Sequence, residues 1–254
     1  MIKWIFFDVG NVIFNDDPTM AMIYERLYRA ILASGQDIPF EALLAEREDL
    51  ILNHHDGRHY NTLGRRYLGE EGWTRVRGTI DRELQANYFR YNLPMLGIED
   101  VLEKLSSSYR LGIAANQVSA CRQALEQTGL ISYFGVIGLS AQMGLSKPSL
   151  EFYRHLLGEA GCRPSEAIMV GDRIDFDVRP AKEVGMWTIW VNLDIREKGY
   201  DPTDHLARLY FESQRRAGVS SIRPRSEDEK PDVEITRIQD IPGAVETIVE
   251  CNPK

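Results

Sequence analysis

Four short segments of this 254-residue chain hold residues suited to chemistry, in one order along the sequence. A hydrophobic run ends in an acid at Ile5-Phe6-Phe7-Asp8-Val9-Gly10-Asn11-Val12, and a second, Leu111-Gly112-Ile113-Ala114-Ala115-Asn116, stops at a small residue and an amide. A lysine follows in Gly144-Leu145-Ser146-Lys147-Pro148, and the last segment is Ile168-Met169-Val170-Gly171-Asp172-Arg173-Ile174-Asp175-Phe176-Asp177. A carboxylate just past a buried strand is rigid and partly desolvated. Asp8 can therefore attack a phosphorus or carbon centre and form a covalent aspartyl intermediate. Taken alone, it fits a turn or helix-capping aspartate equally well. Asp172, Asp175 and Asp177 crowd three acids into six residues. Such like charges destabilise one another unless a cation or a basic group compensates. Hard oxygen donors in this pattern suit Mg²⁺. Helix-dipole preference accounts for acids at Asp175 and Asp177, but less well for Asp172 directly at a strand end. Lys147 by itself is an ordinary surface lysine. In this company it can neutralise charge between a nucleophile and a phosphoryl group.

The elements that must hold these residues alternate from residue 97 onward. Ile98, Val101, Leu102 and Leu105 have helical spacing, 110–115 reads as a buried strand, and 119–129 as a helix stopping at Gly129. Phe134–Leu139 is strand-like, and Pro148 suits the first position of a helix carrying Leu150, Tyr153, Leu156 and Leu157. A strand at 167–170, a helix over 177–184 ending at Gly185 and a strand at Trp187–Val191 follow. Val233–Ile235 and 242–250 make a last strand and helix. The pattern predicts an α/β fold, a Rossmann-like doubly wound parallel sheet with helices on both faces. In such sheets ligands bind outside the C-terminal strand ends, where all four segments fall.

Residues 16–93 break the alternation. Met20, Ile23, Leu27 and Ile31 mark one amphipathic helix, 39–53 a second and 73–90 a third, with no strand signal between them. They read as a smaller α-helical cap over the strand ends, set into a discontinuous core of 1–15 and 94–254. Within that core, 196–231 reads as an irregular insertion. It runs from an amphipathic stretch (His205, Leu206, Leu209, Tyr210) into the polar segment between Arg223 and Pro231. The expectation is a solvated excursion with a mobile tip, or else a lid or oligomer contact.

The length allows a sizeable core and a second lobe. A net charge of −8 argues against duplex DNA or an anionic membrane as the main partner. It leaves room for a small anionic substrate, because a cation and a lysine can reverse the local field. Cys121, Cys162 and Cys251 form no CxxC pair and read as thiols of a reduced compartment. The apolar run at 2–7 is too short for a signal segment or a membrane span. The expectation is a cytoplasmic protein, monomer or homodimer, without nucleic-acid or membrane partners.

Together the four segments resemble the haloacid dehalogenase-like (HAD) superfamily, most of whose members are phosphatases, with a C1-type helical cap. The Asp8 segment is similar to its first motif, Lys147-Pro148 to its third, and Gly171-Asp172 with Asp177 to its fourth. The resemblance implies that Asp8 is the nucleophile. It also implies that Asp8, Asp172 and the carbonyl of Gly10 hold Mg²⁺, and that Asp177 supports the metal or holds Lys147. Ala115, Asn116 and Lys147 would face the phosphoryl group of a small phosphorylated metabolite. Two positions depart from the family's pattern. Gly10 stands where its phosphatases usually carry a second aspartate, whose acid–base role contributes about 10²–10⁴-fold. Asn11 and Asp16 are the nearest substitutes. Ala115 stands in place of Ser or Thr, and an unsatisfied partner there costs about 1–3 kcal/mol. The expected function is a Mg²⁺-dependent phosphatase, slowed at these positions; the alternative is a weakly active or inactive binding or regulatory protein. Haloacid dehalogenation fits less well, since its fourth motif has Ser-Asn-type residues where this chain has Gly171-Asp172. Substrate choice would lie with the loop from His54 to Tyr60, chiefly His55 and Arg58, the latter pairing with an anion. Otherwise that loop is a plain polar connection.

Overall fold

A computed structural model describes residues 1–193, 198–218 and 223–251. In chain order the elements begin β1 (Trp4–Phe7), β2 (Phe14–Asn15), α1 (Asp17–Ala33), α2 (Phe40–Leu52), α3 (His59–Tyr91), β3 (Leu93–Pro94) and α4 (Ile98–Ser106). They continue with β4 (Arg110–Ala115), α5 (Ala120–Gln127), β5 (Phe134–Leu139), α6 (Ser140–Met143), α7 (Leu150–Ala160) and β6 (Ala167–Gly171). The last are α8 (Arg179–Val184), β7 (Trp187–Val191), α9 (His205–Ala217), β8 (Val233–Ile235) and α10 (Ile241–Cys251). The chain divides into two compact units. One comprises Met1–Asn15, Leu93–Lys198 and Arg223–Lys254; the other comprises Asp16–Asn92 and Gly199–Ile222.

The first unit is the α/β fold that the alternation predicts. Six parallel strands lie in the order β5-β4-β1-β6-β7-β8. All four residues of β1 are buried, as a parallel strand covered on both faces requires. Ile5, Phe6 and Phe7 are at most 1% exposed. Burial of each contributes about 1.5–3 kcal/mol, so the strand carrying Asp8 is firmly held. Trp4, Phe6, Ala114 and Met169 pack with Phe152, Tyr153 and Leu156 of α7 and Ala181 of α8, while α4 and α10 pack together and reach β4 and β7. A Cβ on Gly112 would stand 2.6 Å from two ring carbons of Phe6, so β4 passes that ring only with glycine. Successive connections run from β1 outward to β4 and β5, then return to β6 on the other side of β1. This reversal puts the switch point at the C-terminal ends of β1, β4 and β6.

Three local features depart from the sequence expectation. The helix expected from Pro148 starts at Leu150, capped by Ser149, whose hydroxyl accepts from the Glu151 N–H at 3.3 Å; the Lys147–Pro148 bond is cis. The helix expected over 177–184 covers only 179–184, because 174–178 form a wider turn closed by the Asp177 and Val178 N–H groups on the Arg173 carbonyl (2.8 and 3.1 Å). A two-stranded ribbon, β2 with β3, pairs Phe14 with Pro94 and Asn15 with Leu93. Two residues per strand are too few to show a period of two.

The second unit is helical. Tyr24, Leu27 and Ile31 of α1, Leu43 and Leu44 of α2, and Leu63, Trp73, Ile80 and Leu84 of α3 share one core. Helix α3 is interrupted at Gly69 and Asn87 and begins well before the stretch expected at 73–90. Its first turns place Tyr60, Leu63, Tyr67 and Leu68 against the core but are broken up by Gly64, Gly69 and Gly72, poor helix formers that hid them. The segment 196–231 is not simply irregular: it contains α9, and its residues 199–218 group with the helical unit, whereas 194–197 and 219–222 lie outside the described residues. Asp204 caps α9, accepting from the N–H groups of Leu206 and Ala207 at 2.9 and 3.1 Å. Arg47, fully buried, donates to Ser213 Oγ at 3.0 Å and to the Gly218 carbonyl at 2.5 Å, with its guanidinium against Tyr24 and Tyr210. Gln214 Nε2 donates to Asp17 Oδ1 at 2.7 Å. These bonds, with Tyr210 in the shared core and Leu206 and Leu209 packed against it, fix α9 on α1 and α2; the amphipathic spacing marked the stretch, but the polar tie through Arg47 and Gln214 gave no such sign.

Candidate active site

Each chemical segment meets the others at the switch point. Asp8 follows β1 directly, its N–H bonded to the Val170 carbonyl of β6 at 2.8 Å. The turn behind it is closed by Asn11 N–H on the Phe14 carbonyl (2.7 Å) and by Ile13 and Phe14 N–H groups on the Val9 carbonyl (both 2.9 Å). Gly10 lies in this turn, bridged to Phe14. At the end of β4, Ala115 is fully buried and offers only a methyl group. The Asn116 amide is spent on the main chain of Lys147: Nδ2 donates to its carbonyl and Oδ1 accepts from its N–H, both at 2.9 Å. Asn116 thus places the lysine, and its side-chain bonds are made before any phosphoryl group arrives.

Lys147 is buried with its ammonium 2.8 Å from Asp8 Oδ1 and 2.5 Å from Asp177 Oδ1. Asp177 is fully buried, and its second oxygen accepts from the Arg173 N–H at 3.0 Å. Asp172 is held through its carbonyl by Trp190 Nε1 at 2.9 Å and through Oδ2 by Asn11 Nδ2 at 3.0 Å. One carboxylate oxygen from each of Asp8, Asp172 and Asp177 lies within 4.8 Å of the others. Among the described residues no other set of three His, Cys, Asp or Glu side chains meets in this way. Asp175 stands apart: Arg173 clamps both its oxygens, Nε to Oδ1 at 2.9 Å and Nη2 to Oδ2 at 2.6 Å, and lies over the Phe176 ring. Its acidity in the sequence serves this ion pair.

The electrostatics follow from burial. Burial lowers the Lys147 pKa, but the charges of Asp177 and Asp8 outweigh it and hold the ammonium protonated. Burial raises Asp177; Lys147 opposes this, Asp8 and Asp172 add to it, and the net direction is upward. Tyr153 is driven well up by burial and by Asp177, and donates through its hydroxyl to the Phe176 carbonyl. Three carboxylates therefore crowd around one ammonium, which directly contacts Asp8 and Asp177, and this excess of negative charge is one that a hard divalent ion matches in sign and donor type. The residues present fit Mg²⁺.

The family model for haloacid dehalogenase-like hydrolases matches residues 2–185. The chain belongs to this family. A glyceraldehyde 3-phosphate phosphatase of Methanocaldococcus jannaschii is 26% identical over 197 residues, 74% of this chain and 84% of that protein. Pyrimidine 5'-nucleotidase YjjG of Escherichia coli is 26% identical over 215 residues, 82% of this chain and 94% of that one. Among solved structures, the HAD-hydrolase YfnB of Bacillus subtilis, bound to magnesium, aligns with TM-score 0.62 over 96% of this chain and 99% of its own, at 16% identity. A 2-haloacid dehalogenase of Pseudomonas syringae aligns with TM-score 0.56 over 97% and 99%, at 20% identity. At those identities the two structures attest the fold alone.

In this HAD-like hydrolase the two cap candidates belong to the helical unit. His55 (φ 52°) and Arg58 are both exposed, and the Arg58 N–H donates to Asp56 Oδ1 at 2.7 Å. The third histidine of that loop, His59, is buried with Nδ1 2.5 Å from the Tyr24 hydroxyl. Asp16 also lies in the helical unit. Sequence reasoning passed over Trp190 and Lys198, which touch the site residues from far along the chain. Gly171, already singled out with Asp172, has a steric role that its motif did not show: a Cβ there would stand 2.3 Å from Asp177 Cγ. Gly171→Ala is expected to push Asp177 off Lys147 and cost about 1–3 kcal/mol, as overpacking does. Urea unfolding with an unchanged m-value checks it.

Proposed function

We propose that this hydrolase is a Mg²⁺-dependent phosphatase of small phosphomonoesters, working through an aspartyl-phosphate on Asp8. The observation that carries the proposal is the convergence of Asp8, Asp172 and Asp177 around one buried lysine at the sheet's switch point. A carboxylate oxygen of Asp8 attacks phosphorus, the P–O bond to the leaving group breaks, and the alkoxide takes a proton from solvent. Water then attacks the phosphorus and releases inorganic phosphate, restoring the Asp8 carboxylate. Lys147 holds Asp8 in place and compensates its charge, and Asp177 fixes Lys147. Bound Mg²⁺, held by Asp8, Asp172 and the Gly10 carbonyl with Asp177 in support, would supply charge neutralisation at the phosphoryl oxygens. The phosphatase and nucleotidase names of the relatives agree with this substrate class, and the magnesium bound to YfnB agrees with the choice of cation. The acid cluster also speaks for phosphoryl transfer over carbon–halogen displacement, which needs the aspartate but no divalent ion.

Gly10 and Ala115 favour a second reading, a protein that keeps the fold and cation site but does not turn over. Hydrolysis of an activated aryl phosphate separates the two, because a good leaving group needs little protonation. Activity that chelation removes and Mg²⁺ restores is the expected result; a folded, Mg²⁺-binding protein without hydrolysis would establish the second reading. Substrate choice is assigned to the helical unit, with His55 and Arg58 its candidates. Arg58→Ala is expected to raise KM about 10-fold for the natural anionic substrate, the loss of one charge-assisted contact, and to spare the aryl phosphate. Equal changes in both KM values would remove Arg58 from that role. Among the described residues no helix is long and apolar enough to cross a membrane.

A further inference from the structure

Beside the lysine–acid cluster runs a second polar chain that the chemistry above does not use. Lys198 Nζ donates to Asn11 Oδ1 at 2.6 Å, and Asn11 Nδ2 donates onward to Asp172 Oδ2 at 3.0 Å. Both intermediaries are buried, Asn11 to 3% exposure and Lys198 to 7%. Asn11 occupies φ 55°, a left-handed conformation that a non-glycine residue adopts at some cost and that asparagine tolerates best. The main chain of Lys198 is itself held, its carbonyl accepting from Asn15 Nδ2 at 3.0 Å.

The chain has a direction. An ammonium can only donate, so Lys198 obliges the Asn11 amide to present its oxygen; the NH₂ must then face Asp172. Without the lysine the amide is free to turn over, and an Oδ1 facing the carboxylate would repel it. An N–H bound to Oδ2 fixes the rotation of the Asp172 carboxylate. Outer partners of this kind orient ligands, and their loss commonly lowers metal affinity about 10–100-fold.

We propose that Lys198 is a positioning residue of the cation site, acting on Asp172 through Asn11. The inference rests on the reading of Asp172 as a Mg²⁺ ligand. The test is calorimetric titration of the substrate-free protein with Mg²⁺, for the wild type, Lys198→Met, Lys198→Arg, Asn11→Gly and the Lys198→Met/Asn11→Gly double variant. Glycine accepts the backbone angle at position 11, methionine keeps the buried volume at 198, and arginine restores a donor. Lys198→Met is expected to weaken Mg²⁺ binding about 10-fold, with Lys198→Arg recovering part of the loss. KM for an aryl phosphate at saturating Mg²⁺ stays at its wild-type value. If the lysine acts through the amide, as proposed, the double variant binds no more weakly than Asn11→Gly alone. A folded Lys198→Met that binds Mg²⁺ like the wild type, or two losses that simply add, overturns the inference and leaves the proposed function standing. A wild type that binds no Mg²⁺ overturns both.

Discussion

Asp8→Asn is expected to abolish hydrolysis of an activated aryl phosphate, with kcat falling on the order of 10³-fold or more, the scale for removal of a covalent nucleophile. The substitution is nearly isosteric, and the amide oxygen can still accept from the Lys147 ammonium, which lies 2.8 Å from Asp8 Oδ1 and keeps Asp177 at 2.5 Å. The thermal midpoint should therefore hold while turnover disappears. A carboxylate needed only to hold a cation would behave differently: its loss would be recovered in part at high Mg²⁺. Measuring kcat across a Mg²⁺ series separates the two roles, and no recovery is the expected outcome.

Lys147→Met has the largest expected effect on stability. Its side chain is 2% exposed and that of Asp177 is fully buried, so solvent screens their contact little. Removing the ammonium leaves buried acids facing one another, and breaking a buried pair in this way costs about 3–5 kcal/mol. Part of the loss should return in Lys147→Met/Asp177→Asn, where the uncompensated charge is gone as well. Urea midpoints for the two variants at constant m-value provide the comparison. A Lys147→Met protein as stable as the wild type would mean that the lysine is not the charge that holds these acids together. Both variants should hydrolyse the aryl phosphate far more slowly than the wild type, since neither compensates the charge at the nucleophile.

The residues that could be read from the sequence share one property: they directly follow a strand or a short loop whose end the pattern fixes. Asp8 after β1, Asp172 after β6 and Lys147 ahead of α7 are placed by the backbone, so finding the strands was enough to bring these side chains together. Asp175 shows the limit of composition. It is as acidic as its neighbours in the sequence, but whether it faces a cation or an arginine depends on the turn at 174–178. Asn116 was legible as a polar group at a strand end, whereas its commitment to the Lys147 main chain was not. Lys198 and Trp190 reach the site across 187 and 18 residues of sequence, from positions with no motif around them. In the helical unit the apolar spacing of α1 and α2 was clear. The amphipathic spacing over 205–210 was visible as well, but the attachment of α9 was not, because it depends in part on Arg47 and Gln214, residues that a hydrophobic pattern counts as surface.

The absence of a side chain at Gly10 gives the central claim its sharpest test. An activated leaving group departs without an acid, but in the proposed mechanism the water that attacks the phosphoryl-aspartate has no carboxylate base at position 10. The second step should therefore be the slow one. Mixing the enzyme with excess aryl phosphate and Mg²⁺ is predicted to give a burst of aryl alcohol equal to the enzyme concentration. Acid quenching followed by peptide mass spectrometry should then find a phosphoryl group on Asp8. Turnover without a burst, with the Asp8 peptide unmodified, would contradict the covalent mechanism.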